Sequence, residues 1–284
     1  MNLLLLSLIF VLNLSITPLL FSAETPYSEK SADPEDQFRL GKAYEMGEGV
    51  TQSYEKAGFW YRKSAEQGNI KAMHNLGILY INGRGCEVNL GEAYRWIKKA
   101  AESGSPRSYA LCGMMKAEGM GSKKDAQEAL YWLEKGVKAD DPRSMFLLGK
   151  MLATGDPSVT SDIPRARTLL ETAANRGDAD SCLLLFSLIK PGGKVSNPDP
   201  VLAKEWLKKG GLLGNSECLF QYGSQILVTN PVTAYPWVKN SADLGNPAAV
   251  GLLTELHSSL TASELQWGEE EARAMRGRFR TPVH

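Results

Sequence analysis

The sequence predicts an all-helical repeat solenoid, and three observations carry that prediction. Gly41, Gly77, Gly113 and Gly149 fall 36 residues apart. A second series, Ala57, Ala93, Ala129, Ala166, Ala203 and Ala234, runs in phase with them, and three residues after each stands Trp60, Trp96, Trp132, Leu169, Trp206 or Trp237. A closing position then holds Gly68, Gly104, Asp140, Gly177, Gly214 or Gly245. Self-similarity at a period of this size marks stacked helical units that cannot bury their apolar faces singly.

Each unit reads as helix A, a turn, and helix B. The pairs Gly47/Gly49, Gly83/Gly85 and Gly119/Gly121 interrupt the helical pattern as glycines with positive φ do. The closing Gly suits a left-handed helix end, and Lys63, Lys99, Lys135 and Lys209 in the preceding turn suit the helix dipole. A Gly inside helix A costs about 1 kcal/mol against Ala, so its recurrence implies a close contact, expected with the Ala and Trp rows of helix B. Six units are read at roughly 36–68, 69–104, 105–140, 141–177, 178–214 and 215–245, with a half unit at 246–260. The fifth has Phe186 at the Gly position and a long turn from Lys190 to Pro200, and the sixth carries Pro236 inside helix B, where a kink is expected. Thr261 to Glu264 is a capping-box start for a last helix running to about Arg276, with Trp267, that would seal the end of the array.

Residues 40–68, Leu-Gly-x-x-Tyr-x-x-Gly-x-Gly-Val followed by Ala-x-x-Trp-Tyr-x-Lys-x-Ala-x-x-Gly, resemble the Sel-one-like repeat, a relative of the tetratricopeptide repeat, and residues 72–104 do so almost as well. The resemblance implies a right-handed α/α superhelical solenoid of about six helix-turn-helix repeats plus a C-terminal capping helix. It also implies a non-catalytic scaffold that binds a peptide or protein, of the exported bacterial type. Some cysteine-rich relatives are linked to penicillin binding or β-lactamase activity, so a cell-envelope enzyme or peptidoglycan-associated factor is the alternative.

Composition and the N-terminus bound the setting. The 284 residues are 43% apolar and 23% charged, with 32 Lys and Arg against 32 Asp and Glu. This is a globular composition with no net charge to draw nucleic acid. Leu3–Leu14 is an apolar run followed by Ser22-Ala23 before Glu24, which reads as a signal peptide over residues 1–23. Leu3–Phe21 is also long enough for a retained anchor, the one route to a membrane. Residues 24–35 then form a linker, 36–260 the solenoid, and 261–284 the capping helix and tail. A monomer is expected.

Catalytic signals are weak. The three histidines, at 74, 257 and 284, form no metal motif, no Cys-x-x-Cys occurs, and no cofactor is implied. His74, on helix A, reads as a surface or groove residue. Ser53-x-x-Lys56 and Ser187-x-x-Lys190 have the spacing of serine β-lactam enzymes but lack the companion elements. Cys86 falls in a turn and is expected to be partly exposed, whereas Cys112 takes a core Leu position. Cys218 stands at a small packing position and Cys182 one residue beyond its equivalent, Ser181. All four read as small hydrophobes. Of the pairings open to them, Cys182–Cys218 on successive A helices is the least strained, although equivalent positions of stacked helices lie roughly 8–10 Å apart.

Helical geometry names a candidate binding surface. If the Gly of helix A faces helix B, positions two before and one after it face the other way. Those rows are polar at their ends and apolar between: Arg39, Asn75, Leu111, Leu147, Leu184, Gln221, and Lys42, Ile78, Met114, Lys150, Ser187, Ser224. Six residues before the Gly stand Lys71, Arg107 and Arg143. An apolar strip rimmed by cations suits a peptide with acidic flanks. Alternatively, Leu111, Leu147 and Leu184 pack between neighbouring A helices.

Overall fold

The computed structural model describes residues 29–155 and 158–279. Among them, twelve helices pair as A/B hairpins: α1 (Pro34–Met46) with α2 (Tyr54–Glu66), α3 (Ile70–Asn82) with α4 (Leu90–Glu102), α5 (Pro106–Glu118) with α6 (Ala126–Lys138), α7 (Pro142–Thr154) with α8 (Ile163–Asn175), α9 (Ala179–Ile189) with α10 (Pro200–Leu212), and α11 (Ser216–Leu227) with α12 (Pro231–Asp243). α13 (Pro247–Ser259) and α14 (Ala262–Arg276) complete the series. The fold is the expected α/α solenoid. The expected signal segment lies outside the described residues.

Each of these helices starts on Ser, Thr, Asp or Asn. Asn69, for example, accepts from Ala72 N and Asp141 from Ser144 N, which satisfies amides that a helix start leaves unpaired. The expected capping box is present: the Thr261 hydroxyl meets Glu264 N while the Glu264 carboxylate accepts from Thr261 N at 2.8 Å.

A single left-handed residue links each B helix to the next A helix. Its φ is +94° at Gly68, +90° at Gly104, +66° at Asp140, +101° at Gly177, +91° at Gly214 and +86° at Gly245. The following residue is already the N-cap of the next helix, and its amide bonds back into the old one, as Asn69 N does to Ser64 O at 3.1 Å. Asp140 bears the backbone strain that the five glycines avoid. The second glycines of the A–B turns have a further reason to lack a side chain. Gly85 lies against the backbone of Tyr54 and Glu55, and Gly121 against that of Leu90, both in the preceding repeat.

The helix A glycines make the close contact that their recurrence implies, with a different partner from the one expected. A β-carbon at Gly77 would stand 2.6 Å from the Ile97 side chain and 3.3 Å from Ala93 O. Gly41 meets Tyr61, Gly113 meets Leu133 and Ala129 O, and Gly149 meets Leu170 and Ala166 O. The Ala row thus contributes its carbonyls, and the filling side chain is the residue after the Trp position. The Trp ring is displaced from that gap because one residue is about 100° of helix. Trp60, Trp96 and Trp132 are still buried, and Lys63, Lys99 and Lys135 lie over their rings at 4.9, 5.3 and 5.0 Å.

The weaker units depart locally. With Phe186 in place of Gly, α9 stops at Ile189, and the long turn folds back so that Lys194 Nζ donates to Ala153 O at 2.6 Å. α12 runs as one helix from Pro231 to Asp243 with Pro236 inside it. The terminal seal also differs in detail. α14 packs on α12 through Gly268, which lies under the Tyr235 ring, and through Met275, which joins Trp237 and Leu219. Trp267, expected to help seal the end, points outward and is 43% exposed.

The glycine contact is directly testable. Gly77→Ala should cost about 1–3 kcal/mol by overpacking. Combined with Ile97→Ala, which empties the same space, the loss should fall below the sum of the two single losses in a denaturant-based mutant cycle.

Candidate functional site

The candidate residues occupy three A helices at positions i, i+4 and i+7: Lys71, Asn75 and Ile78 on α3; Arg107, Leu111 and Met114 on α5; Arg143, Leu147 and Lys150 on α7. That spacing places each trio on one helix face. Alternate A helices touch along the middle of the array (α5 to α7, α7 to α9, α9 to α11), and at the C-terminal end α12 touches α14. From α5 to α11 the A helices therefore lie on the inner, closer-packed side. Lys71, Arg107, Arg143 and Lys150 are exposed, and Asn75, Ile78, Leu111, Met114 and Leu147 are half-buried.

Met114, Leu147 and Lys150 come together. They line a cavity of about 180 Å³ between α5 and α7, with Leu133 and Met151 in its wall and Glu118 and Lys124 at its polar edge. A shallow depression lined by Lys116, Lys123, Lys124 and Asp125 adjoins it. The rows drawn from the sequence missed Met151 and Lys124. Met151 lies four residues after Leu147 and was legible as a same-face neighbour. Lys124 sits in a turn, where helical periodicity gives no signal.

Several of the other candidates have work within the array. Lys71 Nζ is 3.8 Å from Glu35 and 5.7 Å from the Phe38 ring centre. Asn75 stands near the Tyr61 hydroxyl, which donates to Glu45 Oε2 at 2.6 Å. Leu111 and Leu147 pack against the core while keeping part of their surface open. Arg143 lies 3.1 Å from Asp180 of the next repeat and over the Phe146 ring. The cations at the cavity itself are Lys124 and Lys150, two residues of neighbouring repeats. Lys116 is held by Glu128 at 2.9 Å. Burial opposes the Glu128 charge, but bonds from Lys98, Lys116, Tyr94 and Trp132 outweigh it and hold the carboxyl at about 2. This cluster ties α4, α5 and α6 together.

His74 is an interface residue rather than a surface one. Its Nδ1 lies 2.9 Å from Ser108 Oγ, and Ser108 Oγ in turn donates to Ser105 Oγ at 3.0 Å. With the serine proton already committed, Nδ1 carries the imidazole proton and donates. Burial first, and the Arg107 charge second, depress its pKa to about 4. The Ser-x-x-Lys serines are employed structurally: Ser53 caps α2, and Ser187 Oγ donates to Leu183 O inside α9. Among the described residues, no three His, Cys, Asp or Glu side chains gather to hold a metal, and no helix is long and apolar enough to cross a membrane.

Comparison with known proteins places the repeats in a family. The Sel1 repeat family matches residues 34–69, 70–105, 106–141, 142–178, 179–215 and 212–246. The chain belongs to the Sel1 repeat family. Repeats of this kind generally act as protein-interaction scaffolds. A Sel1 repeat protein from Oxalobacter formigenes is similar at 29% identity and TM-score 0.69, covering 74% of this chain and 85% of that one. A sel1 repeat protein from Klebsiella pneumoniae matches at 22% identity and TM-score 0.49, covering 70% of this chain and 99% of that one. A protective antigen of uropathogenic Escherichia coli strains with an SLR fold matches at 21% identity and TM-score 0.36, over 87% and 69%. No curated protein matches.

The histidine makes a pH prediction. Its folded pKa of about 4 lies below the ordinary 6.5, so the unfolded chain binds the proton first. The His74 contribution to stability is whole above pH 6.5 and is lost as the pH falls towards 4. Thermal melts of His74→Gln should show a shallower decline across that window than the parent protein.

Proposed function

We propose that this Sel1 repeat protein is a non-catalytic interaction module. In this reading, the A helices of its second to fourth repeats receive a peptide or protein segment carrying an apolar side chain with acidic neighbours. The observation that carries the proposal is the convergence of Met114, Leu147 and Lys150 on one cavity with Lys124 at its edge. The apolar wall suits a buried side chain, Met adapts to varied shapes, and the lysines suit carboxylates beside it. A panel of peptides with one aromatic or aliphatic anchor flanked by Asp and Glu, by Lys and Arg, or by Ser would test this by fluorescence anisotropy. The acidic-flanked peptides should bind best, and more weakly as salt rises. Met114→Glu should weaken that binding at least tenfold with the helical signal and melting unchanged, whereas Gly113→Leu should unfold the repeat. Equal binding of all three flanks, or unfolding by both variants, would overturn the proposal.

We also propose export directed by residues 1–23, on the strength of the Leu3–Leu14 run and Ser22-Ala23. Mass spectrometry of protein from its host should find a chain beginning near Glu24. Intact Met1 in the membrane fraction would make the segment an anchor instead, and intact Met1 in soluble cytoplasm would refute export.

A further inference from the structure

The four cysteines are thiols in the structure, and two of them share one notch. Cys182 on α9 and Cys218 on α11 are fully buried. Both reach the same point above Gly210 of the intervening helix α10. A β-carbon at Gly210 would stand 2.9 Å from Cys182 Cβ, 3.1 Å from Cys218 Cβ and 2.5 Å from Cys218 Sγ. The two cysteine β-carbons are therefore at most about 6 Å apart, a small helix adjustment from the roughly 3.5–4.5 Å of a disulfide. The separation expected of equivalent positions does not apply, because Cys182 is displaced by one residue along its helix and Gly210 offers no side chain to keep the pair apart.

We infer that Cys182 and Cys218 form a disulfide that staples repeat five to repeat six when the chain folds in an oxidising environment. Two S–H bonds break and one S–S bond forms. The electron pair and both protons pass to a disulfide oxidant, which leaves as two thiols. Cys182 reaches the bond by turning about its Cα–Cβ axis, since its Sγ now faces Asp178 O at 3.9 Å. Burial pushes both thiols up, Cys182 to about 12, so the packed thiols are poor nucleophiles and the bond forms during folding rather than after it. The location has a structural logic: repeat five lacks the helix A glycine and carries the longest A–B turn, and repeat six carries the shortest, so the staple joins the two repeats that depart most from the pattern of the first three.

The full chain would be unfolded and refolded in a buffer of oxidised and reduced glutathione, with helicity followed by circular dichroism. Remaining thiols would then be blocked with N-ethylmaleimide before peptide mapping. The expected result is one cross-linked pair holding Cys182 and Cys218, an alkylated Cys112, and slower amide exchange in α9 to α11 that reverts on reduction. Cys218→Ser, a residue found at the equivalent positions 108, 144 and 181, should fold and show neither the cross-link nor the redox-dependent exchange. Gly210→Ala should cut the cross-link yield several-fold by filling the notch. Alkylation of both Cys182 and Cys218, a bond to Cys86 or Cys112 instead, or an undiminished yield in Gly210→Ala would each overturn the inference.

Discussion

The distance of closest approach between helix A and helix B governs this molecule. At Gly41, Gly77, Gly113 and Gly149 the helices come so near that the side chain opposite, Tyr61, Ile97, Leu133 or Leu170, occupies the space a β-carbon would need. Those four side chains are almost wholly buried as a result. Their register fixes the rest of helix B: one residue earlier stands the Trp position, and seven residues after the Ala a small residue turns to the next repeat. Gly136 there lies against Ser144 and Gly210 against Cys218. A local requirement for closeness thus propagates along the array as spacing between repeats. Repeat five relaxes the requirement: Phe186 is buried where a glycine would stand, and the helix it belongs to is the shortest of those described.

Much of this was legible because the constraints are periodic. A left-handed link needs glycine at one place in every repeat, and even the exception, Asp140, was found by its phase. The partner of the helix A glycine was misassigned because sequence conspicuousness and steric contact differ: tryptophan marks the register, while the less distinctive neighbour fills the gap. The outward turn of Trp267 was hidden for a related reason. A large apolar residue in a terminal helix reads as a seal, but α14 meets α12 through Gly268, Ala272 and Met275, and the smallness of Gly268 shows its use only once the Tyr235 ring is placed against it.

The inner face was legible in outline and not in chemistry. Periodicity could say which residues of α3, α5 and α7 share a side, but not which cations are already engaged across repeats. Arg143 faces Asp180, and Lys71 faces Glu35. Those pairs join residues 36 or 37 apart, a separation at which the sequence offers many equivalent partners. What distinguishes the α5–α7 interval is that Lys124 comes from a turn and Lys150 from a helix, so two different local structures contribute to one rim.

The two kinds of connection differ in the freedom they leave. From repeat to repeat, the left-handed residue is always followed at once by the next N-cap, with no position to spare. The A–B turns are 47–52, 83–88 and 119–124 in the first three repeats, one residue longer between Thr154 and Asp162, 190–198 in the fifth, and only 228–229 in the sixth. The array therefore has a stiff seam and a permissive one. An insertion at the stiff seam would rotate every later repeat relative to the earlier ones, whereas one at the permissive seam lengthens a loop and leaves the stacking in phase. All the sequence novelty this architecture can absorb is channelled to a single edge. Lys123 and Lys124 belong to that edge, so the polar border of the inner cavity can diversify while the helices beneath it stay as they are.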